Sequence, residues 1–414
     1  MNRIFISSVF LLVSTLIEIS TFADDATVLP QGRFRVRLVS SYTDLDNKYG
    51  ANGELAGLGS SFSRSLDGHL LYALTQKPEL ANAVRSLNAV SPGAGDALLG
   101  EQIANLNTDI KTNFFVNQFV VEYGLTSRLS VGIIVPLIHA DVEVNATSTP
   151  DSTFAQKTSA MSDADPRKAI RLSMQNSMTM TSINRLLKDQ FQYSNGMNSW
   201  SGTGVGDIEI GSKFNYYRDF PLRATLKSGV RLPTGRADDP NNLFDLGFGN
   251  ETYDLAAYHY VDYDILSNVM LTWEMGYTYQ LPNSGGYRIP ISTDLPLSTS
   301  VAKLDRKLGD YWDAGFEMNV TPIKPLILSA KYHFRQKFQD SYTGSAGVNT
   351  ATLEADTSQI LHEGNFQAEY TNLAAVRAGQ DRVPYGVVLF YFLPFAGENV
   401  SDSRTAGLQL KTYF

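Results

Sequence analysis

The sequence predicts an all-β protein: a transmembrane, antiparallel, up-and-down β-barrel of about twelve strands with partly helical extracellular loops. Three observations lead to this prediction. Many segments alternate apolar and polar side chains with a period of two, as strands do. The connections between these segments are long and short in turn, and both ends of the chain carry patterns typical of an exported barrel.

The last segment, Ser403–Phe414, has the alternation of a strand that lies between lipid and a wetter interior. Phe414 and Leu410 share one face, and Lys411 lies on the other. A terminal aromatic residue resembles the C-terminal signal of outer-membrane barrels, so we expect Phe414 to be read by the barrel-assembly machinery. Thr412 departs from that pattern, since an apolar residue is more usual there. A soluble β-sandwich that ends on phenylalanine is the alternative.

The N-terminus has the layout of a secretory signal peptide over residues 1–23. Arg3 is followed by an apolar stretch, Ile4–Ile17, and a small residue, Ala23, precedes the expected cleavage site. The apolar stretch is too short for a convincing transmembrane helix. We therefore expect export, and a mature chain in which residues 24–414 form a single outer-membrane β-barrel domain.

Composition excludes several classes of protein. The chain has no cysteine, which excludes disulfides, thiolate chemistry and a lipoprotein anchor. A formal net charge of −8 argues against a nucleic-acid partner. The 21 tyrosines and 22 phenylalanines are enough for aromatic girdles at two membrane interfaces, which makes the lipid of the outer membrane an expected partner.

Twelve strands are expected, and each short connection joins two of them into a hairpin. In chain order the predicted strands are Gly32–Tyr42, Thr112–Gly124, Arg128–Val144, Gly206–Tyr217, Leu222–Pro233, Thr252–Val261, Ile265–Leu281, Tyr311–Val320, Leu326–Phe338, Glu354–Tyr370, Val383–Leu393 and Ser403–Phe414. With the N-terminus in the periplasm, every short turn falls on the periplasmic side. An even number of strands then returns the C-terminus to the same side.

Two outer loops, about residues 43–110 and 146–202, are long enough to fold on their own. Asp165-Pro166 predicts a helix start, because aspartate caps a helix and proline suits its first position. Lys77-Pro78 opens a second stretch with helical spacing. Such helices could cap the barrel rim, or part of one loop could fold into the lumen as a constriction.

Several short motifs after residue 117 belong together. They are Tyr123-Gly124-Leu125-Thr126, Gly204-Val205-Gly206-Asp207, Leu232-Pro233-Thr234-Gly235, Asp238-Asp239-Pro240 and Phe395-Ala396-Gly397-Glu398-Asn399. Over residues 117–414 the chain resembles the phenol-degradation MetA-pathway family of outer-membrane β-barrels. The resemblance implies a barrel linked to aromatic-compound pathways and does not imply an enzyme. Residues 43–109 depart from the family pattern.

The predicted register places most strand charges on the inward face, where they are candidates for lining a permeation path. Charges on the lipid face would cost about 2–4 kcal/mol each near the midplane, so this alternation supports the register. The candidate lumen residues are Arg33, Arg35, Arg37, Glu122, Asp207, Glu209, Lys213, Lys227, Arg231, Glu274, Glu317, Lys331, His333 and Arg335.

The arrangement of these charges decides between two kinds of lumen. Adjacent rows of opposite sign would cross-link a narrow barrel with ion pairs, whereas separated rows would form a polar pore. An apolar tunnel is a weaker alternative, supported by Val388, Phe390, Phe392 and Met270.

No catalytic residue, metal ligand or cofactor site is predicted. None of the five histidines has a serine two residues on, the arrangement common in outer-membrane phospholipases. Acidic and amide side chains crowd the loop Asp238–Asn250, but turn formation accounts for them without a metal ion. Gly202–Gly206 precedes a strand rather than a helix, which excludes a phosphate-binding loop.

The sequence therefore predicts an outer-membrane barrel for passive passage of small solutes, aromatic or hydrophobic compounds among them. The alternative is a non-conducting structural or surface-binding barrel that acts through its extracellular loops.

Overall fold

The computed structural model describes residues 25–75, 78–290, 297–298, 301–344 and 349–414. The predicted signal peptide and Lys77 lie outside these residues. The strands are, in chain order, β1 (Phe34–Leu45), β2 (Asn47–Tyr49), β3 (Leu55–Gly57), β4 (Arg64–Asp67), β5 (Gln102–Gly124), β6 (Leu129–Pro150), β7 (Trp200–Val205), β8 (Ile208–Asp219), β9 (Leu222–Leu232), β10 (Asp254–Leu266), β11 (Val269–Gln280), β12 (Asn283–Arg288), β13 (Val301–Lys307), β14 (Tyr311–Ile323), β15 (Leu326–Lys337), β16 (Ser341–Thr343), β17 (Gln359–Thr371), β18 (Tyr385–Glu398) and β19 (Arg404–Tyr413).

Twelve of these strands close into an antiparallel, up-and-down barrel, which confirms the predicted fold class. The order around the barrel is β1, β5, β6, β8, β9, β10, β11, β14, β15, β17, β18, β19 and back to β1. Each barrel strand neighbours the next one along the chain. Closure leaves no sheet edge in the membrane, where an unpaired backbone group would cost several kcal/mol.

The two ends of the barrel differ, as the alternation of loop lengths predicts. At the turn end lie the start of β1, the end of β19 and the hairpin turns, such as Phe220-Pro221 and Ser267-Asn268. At the loop end lie the long connections 46–101 and 151–199, bounded by β1, β5, β6 and β7. In outer-membrane barrels short turns face the periplasm, so the turn end is the periplasmic end.

Most predicted strands differ from the observed ones by a few residues at one or both ends, and four of these differences are informative. Asp262-Tyr263-Asp264 is no turn but part of β10, which runs on to Leu266 because Asp262 points inward and is hydrogen-bonded there. The first strand begins at Phe34 rather than Gly32. The tenth predicted strand begins at Gln359, since residues 351–354 form a helix.

The fourth correction concerns β5 and β6, which extend past their predicted outer ends to Gln102 and Pro150. In the lower part of β5 apolar side chains such as Phe119 point outward. Above Phe115 the pattern reverses, so that apolar Ile110 is buried inward and Asp109 faces out. The same reversal occurs in β6, between Leu137 and His139. Because lipid no longer surrounds the strands above this level, the membrane boundary lies near Phe115 and Leu137.

The outward face of the barrel carries exposed apolar side chains in a band with aromatic residues at both edges. The aromatic residues at the turn end are Phe34, Tyr217, Phe220, Tyr263, Tyr370, Tyr385 and Phe414. Those at the loop end are Tyr42, Phe115, Tyr253, Tyr279, Phe338 and Phe395. Two such girdles mark the two membrane interfaces.

Eight short α-helices lie in the described connections, as predicted for the outer loops. They are α1 (Gly68–Thr75), α2 (Pro78–Val90), α3 (Ala94–Leu99), α4 (Ser152–Ser159), α5 (Pro166–Ser177), α6 (Met180–Asp189), α7 (Ala351–Glu354) and α8 (Leu373–Arg377). The Asp165 side chain caps α5 by accepting a hydrogen bond from the Arg167 amide. Among the described residues, no helix is long and apolar enough to cross a membrane.

Helices α1–α6 and residues 243–248 pack on the inner faces of the extended β5 and β6, and we call this layer the dome. Its core joins Phe154 and Met174 of the helices to Ile103 and Ile138 of the strands, all of them buried. The short strands β4 and β7 lengthen the same sheet on either side. The dome is thus the cap on the barrel rim that one interpretation of the sequence predicts.

A second outer layer, the three-stranded sheet β12-β13-β16, is tied to the dome by Arg288. The Arg288 guanidinium donates to the carbonyl oxygens of Phe191 at 2.7 Å and Ser298 at 2.7 Å, and to Asn241 Oδ1 at 2.8 Å. Three outer connections therefore form one packed surface at the loop end.

The reversal of pattern in β6 yields a test of the membrane boundary. We expect Ile133→Arg, on the lipid face, to lower the free energy of unfolding by about 2–4 kcal/mol. Glu143→Arg, on the same outward face above the reversal, should change it little because that side chain stays in water. Urea unfolding in lipid vesicles measures both, and equal losses would contradict the boundary.

Candidate functional site

The N-terminal residues Asp25–Gln31 enter the lumen at the turn end, and we call this segment the strap. The Ala26 amide donates to both carboxylate oxygens of Asp262, at 3.1 Å each. The Ala26 carbonyl accepts from Asn215 Nδ2 at 2.8 Å and from the Thr225 hydroxyl. Further along, the Leu29 amide donates to Ser130 Oγ at 2.8 Å. The strap therefore crosses from the wall formed by β8–β10 to β6.

Half of the barrel wall is cross-linked by buried ion pairs between neighbouring strands. Asp313 on β14 accepts from Arg335 Nε at 2.7 Å and lies 3.0 Å from His333 Nε2, both on β15. Lys331 Nζ lies 2.6 Å from Glu274 Oε1, and both side chains are 3% exposed. This half matches the ion-paired wall that the sequence left as one of two possibilities.

Gly315 makes the second of these pairs possible. It lies between Glu274 and His333 in the register of β11, β14 and β15. A Cβ at this position would lie 2.6 Å from Glu274 Oε1, so only glycine lets the carboxylate pass over β14 to reach Lys331.

The opposite half of the wall carries paired charges around open space. Glu122 is gripped by Arg35, through Nε at 2.5 Å and Nη2 at 2.7 Å, and Arg37 Nε lies 3.2 Å away. Arg231 bridges Glu209 at 3.0 Å and Asp254 at 3.2 Å. Bidentate arginine–carboxylate pairs are strong and geometrically specific, so these side chains hold fixed positions.

A cavity with about 1060 Å³ of empty space, open solvent included, lies between these pairs and the strap. The strap contributes Thr27, Val28 and Leu29 to its lining. The wall contributes Arg35, Arg37, Val120, Glu122, Ser130, Gly132, Ile134, Glu209, Gly211, Lys213, Lys227, Gly229, Arg231, Asp254, Ala256, Tyr258, Thr278 and Tyr311 from the inner face. The lumen of the barrel thus contains an open space beside β6, β8 and β9.

The fourteen predicted lumen residues fall into three groups. Around the cavity lie Arg35, Arg37, Glu122, Glu209, Lys213, Lys227 and Arg231. In the cross-linked half of the wall lie Glu274, Glu317, Lys331, His333 and Arg335. The remaining two lie elsewhere. Arg33 is exposed just before β1, and buried Asp207 accepts from the Gly235 and Asn250 amides at 2.8 and 3.0 Å, which fixes a loop rather than a path.

The apolar side chains proposed for a tunnel do not line the cavity. Phe390 and Phe392 on β18 pack with Val39 of β1 into a small buried cluster. Met270 Sδ lies 2.9 Å from Arg223 Nη2 near the turn end. Within the described residues, these apolar side chains pack against their neighbours and do not line a tunnel.

Sequence reasoning missed the strap and the inward glycines Gly132, Gly211 and Gly229. The strap has no periodic pattern, and its burial depends on distant residues of β8–β10. The glycines carried a usable signal, because each one occupies the inward phase of its strand.

The histidines and the acidic loop show no catalytic or metal-binding arrangement. His139 pairs with Asp141 at 3.1 Å on the exposed outer face, and His259 lies 2.6 Å from Tyr216 Oη. Asp245 is held by Arg236 through two contacts of 2.8 Å. In residues 25–75, 78–290, 297–298, 301–344 and 349–414, no group of three or more suitable side chains could hold a metal ion.

One carboxyl group of that loop has a strongly altered proton affinity. Burial, together with the nearby charge of Glu251, raises the pKa of Asp238 to about 6. The loop between β9 and β10 therefore carries an additional proton at mildly acidic pH.

The buried pair in the cross-linked wall yields a stability prediction. Lys331→Met should lower the free energy of unfolding by about 3–5 kcal/mol, because it leaves the Glu274 charge buried without its ion-pair partner. Adding Glu274→Leu should restore most of the loss. Lys324→Met, at an exposed turn position, is the control. Urea unfolding in detergent or lipid measures all four proteins, and a double variant no more stable than Lys331→Met would contradict the pairing.

No family of known proteins matches this chain, and no curated protein matches its sequence. Solved structures are similar in fold. An outer-membrane channel from Pseudomonas putida F1 superposes with a TM-score of 0.53 at 11% identity, over 94% of this chain and 98% of that one. The translocator domain of the autotransporter NalP from Neisseria meningitidis gives 0.39 at 6% identity, over 97% and 94%.

The CymD monoaromatic hydrocarbon channel gives a TM-score of 0.33 at 10% identity, over 100% of this chain and 95% of that one. The last two similarities are too distant to carry an argument. The first shows that this chain has the fold of an outer-membrane channel, and the relation to the MetA-pathway family stays a prediction.

Proposed function

We propose that the protein is an outer-membrane channel through which small solutes pass passively. The observation that carries this proposal is the cavity inside a closed barrel, lined by charged and polar side chains. A purely structural barrel gains nothing from such a space, because filling it with side chains would add packing energy. The fold of the Pseudomonas putida channel supports the same proposal.

Passage through this barrel requires the strap to move. Ala26 is fully buried. The strap is held by a few hydrogen bonds, in which Asn215 and Thr225 donate to it and Asp262 and Ser130 accept from it. Each such bond contributes only about 0.5–1.5 kcal/mol, so displacement of the strap is a modest step compared with opening the barrel. The solute then passes between the inward charges that the sequence singled out.

Export and assembly belong to the same proposal. Residues 1–23 would direct the chain to the periplasm, and Phe414 would be read by the barrel-assembly machinery. In support, Phe414 is 62% exposed on the lipid side. Its amide and carbonyl pair with Phe34, which places it at the seam between the last and first strands.

Aromatic solutes are the finer part of the proposal, since they follow from the resemblance to the MetA-pathway family. Tyr258, Tyr311, Val28 and Leu29 around the cavity offer suitable contacts for a small ring.

The non-conducting alternative is also supported by an observation. The dome packs over the loop end, and ion pairs cross-link β11, β14 and β15. A barrel that acts through its outer loops would need just such a rigid support.

Variants of the strap contacts separate the two functions. We expect Asn215→Ala combined with Thr225→Val to speed the swelling of proteoliposomes in small-solute gradients, because both changes remove donors to the Ala26 carbonyl. Thr43→Val is the matched control, since its buried hydroxyl contacts that of Thr405 at 2.7 Å on the inner wall rather than the strap. No swelling with the wild type and with both variants would refute the channel.

A further inference from the structure

Four small residues lie side by side on the inner wall of the cavity. Gly132 is opposite Gly211, Gly211 is opposite Gly229, and Gly229 is opposite Ala256 in the register of β6, β8, β9 and β10. We call them the small-residue row. Their positions are inward, and the next residue on each strand points to the lipid.

The row turns part of the wall into bare backbone. Val131, Ile133 and Ile210 also line the cavity, although their side chains are exposed on the outer face. They contribute main-chain atoms to the lining because no inward side chain covers them. A flat surface of this kind accepts a planar group in close contact.

Two lysines lie next to the small-residue row, two residues closer to the turn end on their strands. Lys213 and Lys227 are direct cross-strand partners with side chains on the same inner face. Like charges in such a pair destabilise a sheet. Lys213 Nζ lies 5.3 Å from the centre of the Tyr260 ring, and Lys227 Nζ lies 5.8 Å from that of Tyr258. Two ammonium groups so placed attract an anion between them.

The molecule already holds one carboxylate beside Lys213. Asp25 Oδ1 of the strap lies 3.8 Å from Lys213 Nζ. A solute carboxylate can bind between Lys213 and Lys227 with the strap in place, since each ammonium offers three N–H donors.

The charges around the cavity, these two lysines included, favour the same sign of ligand. Its lining contains five cationic side chains and three anionic ones, a net charge of plus two. The three carboxylates are engaged by arginines: Glu122 by Arg35, and Glu209 and Asp254 by Arg231. A cationic solute would therefore be repelled by the net positive charge, and it would find each carboxylate of the lining already paired with an arginine.

We propose that the cavity is a binding site for a small organic anion, with its carboxylate between Lys213 and Lys227 and its flat apolar part on the small-residue row. Val28 and Leu29 of the strap also line the cavity and would cover the second side of the ring. This inference rests on the proposed function and names the class of solute.

Calorimetric titration of the full-length barrel in detergent tests the site, with benzoate as the anionic probe and benzylammonium as a cationic probe of similar size. Benzoate should bind and benzylammonium should bind at least tenfold more weakly. Lys227→Gln and Lys213→Gln should each weaken benzoate binding by about tenfold or more, because each removes a charged hydrogen-bond donor.

A larger side chain in the small-residue row provides a test that leaves every charge in place. At Gly229 a Cβ would lie 3.1 Å from the Ile210 carbonyl oxygen, so a side chain fits after a shift of a few tenths of an ångström. Gly229→Val should abolish benzoate binding while the barrel still shows heat-modifiable migration. Lys411→Gln, a lysine of the inner wall that pairs with Glu369 away from the cavity, is the control and should bind benzoate like the wild type.

The proposal is wrong if benzoate does not bind to the wild type, if both probes bind equally, or if the lysine and glycine variants retain wild-type affinity. Binding is measured here without conductance. A barrel that binds benzoate but passes no solute would refute the proposed function alone, and one that passes solutes without binding benzoate would refute this inference alone.

Discussion

A strand can cross lipid only if each of its main-chain N–H and C=O groups has a hydrogen-bond partner. In this protein the first and last strands must therefore pair with each other, so that the barrel closes. Closure occurs where β1 pairs with β19 on one side and β5 on the other. At the seam Phe34 and Phe414 exchange two backbone hydrogen bonds, of 3.1 and 3.0 Å. Closing the ring fixes the register of every strand pair, and the register decides which side chains face the lumen.

The lumen must then accommodate the charges that lipid excludes. Where rows of opposite sign are neighbours, as Asp313 and Arg335 are, the charges pair and the wall is cross-linked. Where the inward positions are glycines, the wall recedes and the charges stand around a cavity instead. One barrel thus combines a rigid half and an open half, and the strap lies across the open one.

The sequence predicted the strands well because lipid imposes a simple alternation on them. It failed for the outer ends of β5 and β6, where water replaces lipid outside, the dome covers the inner face, and the pattern continues in the opposite phase. It also failed at Asp262, since aspartate followed by tyrosine and aspartate is typical of a turn. Contacts with Thr272, with Arg223 and with Ala26, far away in the chain, explain a carboxylate on the inner wall.

The candidate site was predictable in part for the same reason. Arg35, Glu122, Lys213 and Arg231 were placed inward by alternation alone. Which charges meet, and where glycines leave space, depends on pairing between strands, and no single strand contains that information. The strap was beyond reach because its partners come from β6 and from β8–β10, at sequence separations of 101 to 236 residues.

The ion selectivity of the full-length protein in planar lipid bilayers tests the central claim most directly. In a gradient of potassium chloride we expect discrete conductance steps and a reversal potential that indicates preference for chloride, because the cavity carries a net charge of plus two. Absence of any conductance, or preference for potassium, would contradict an open lumen lined by these residues.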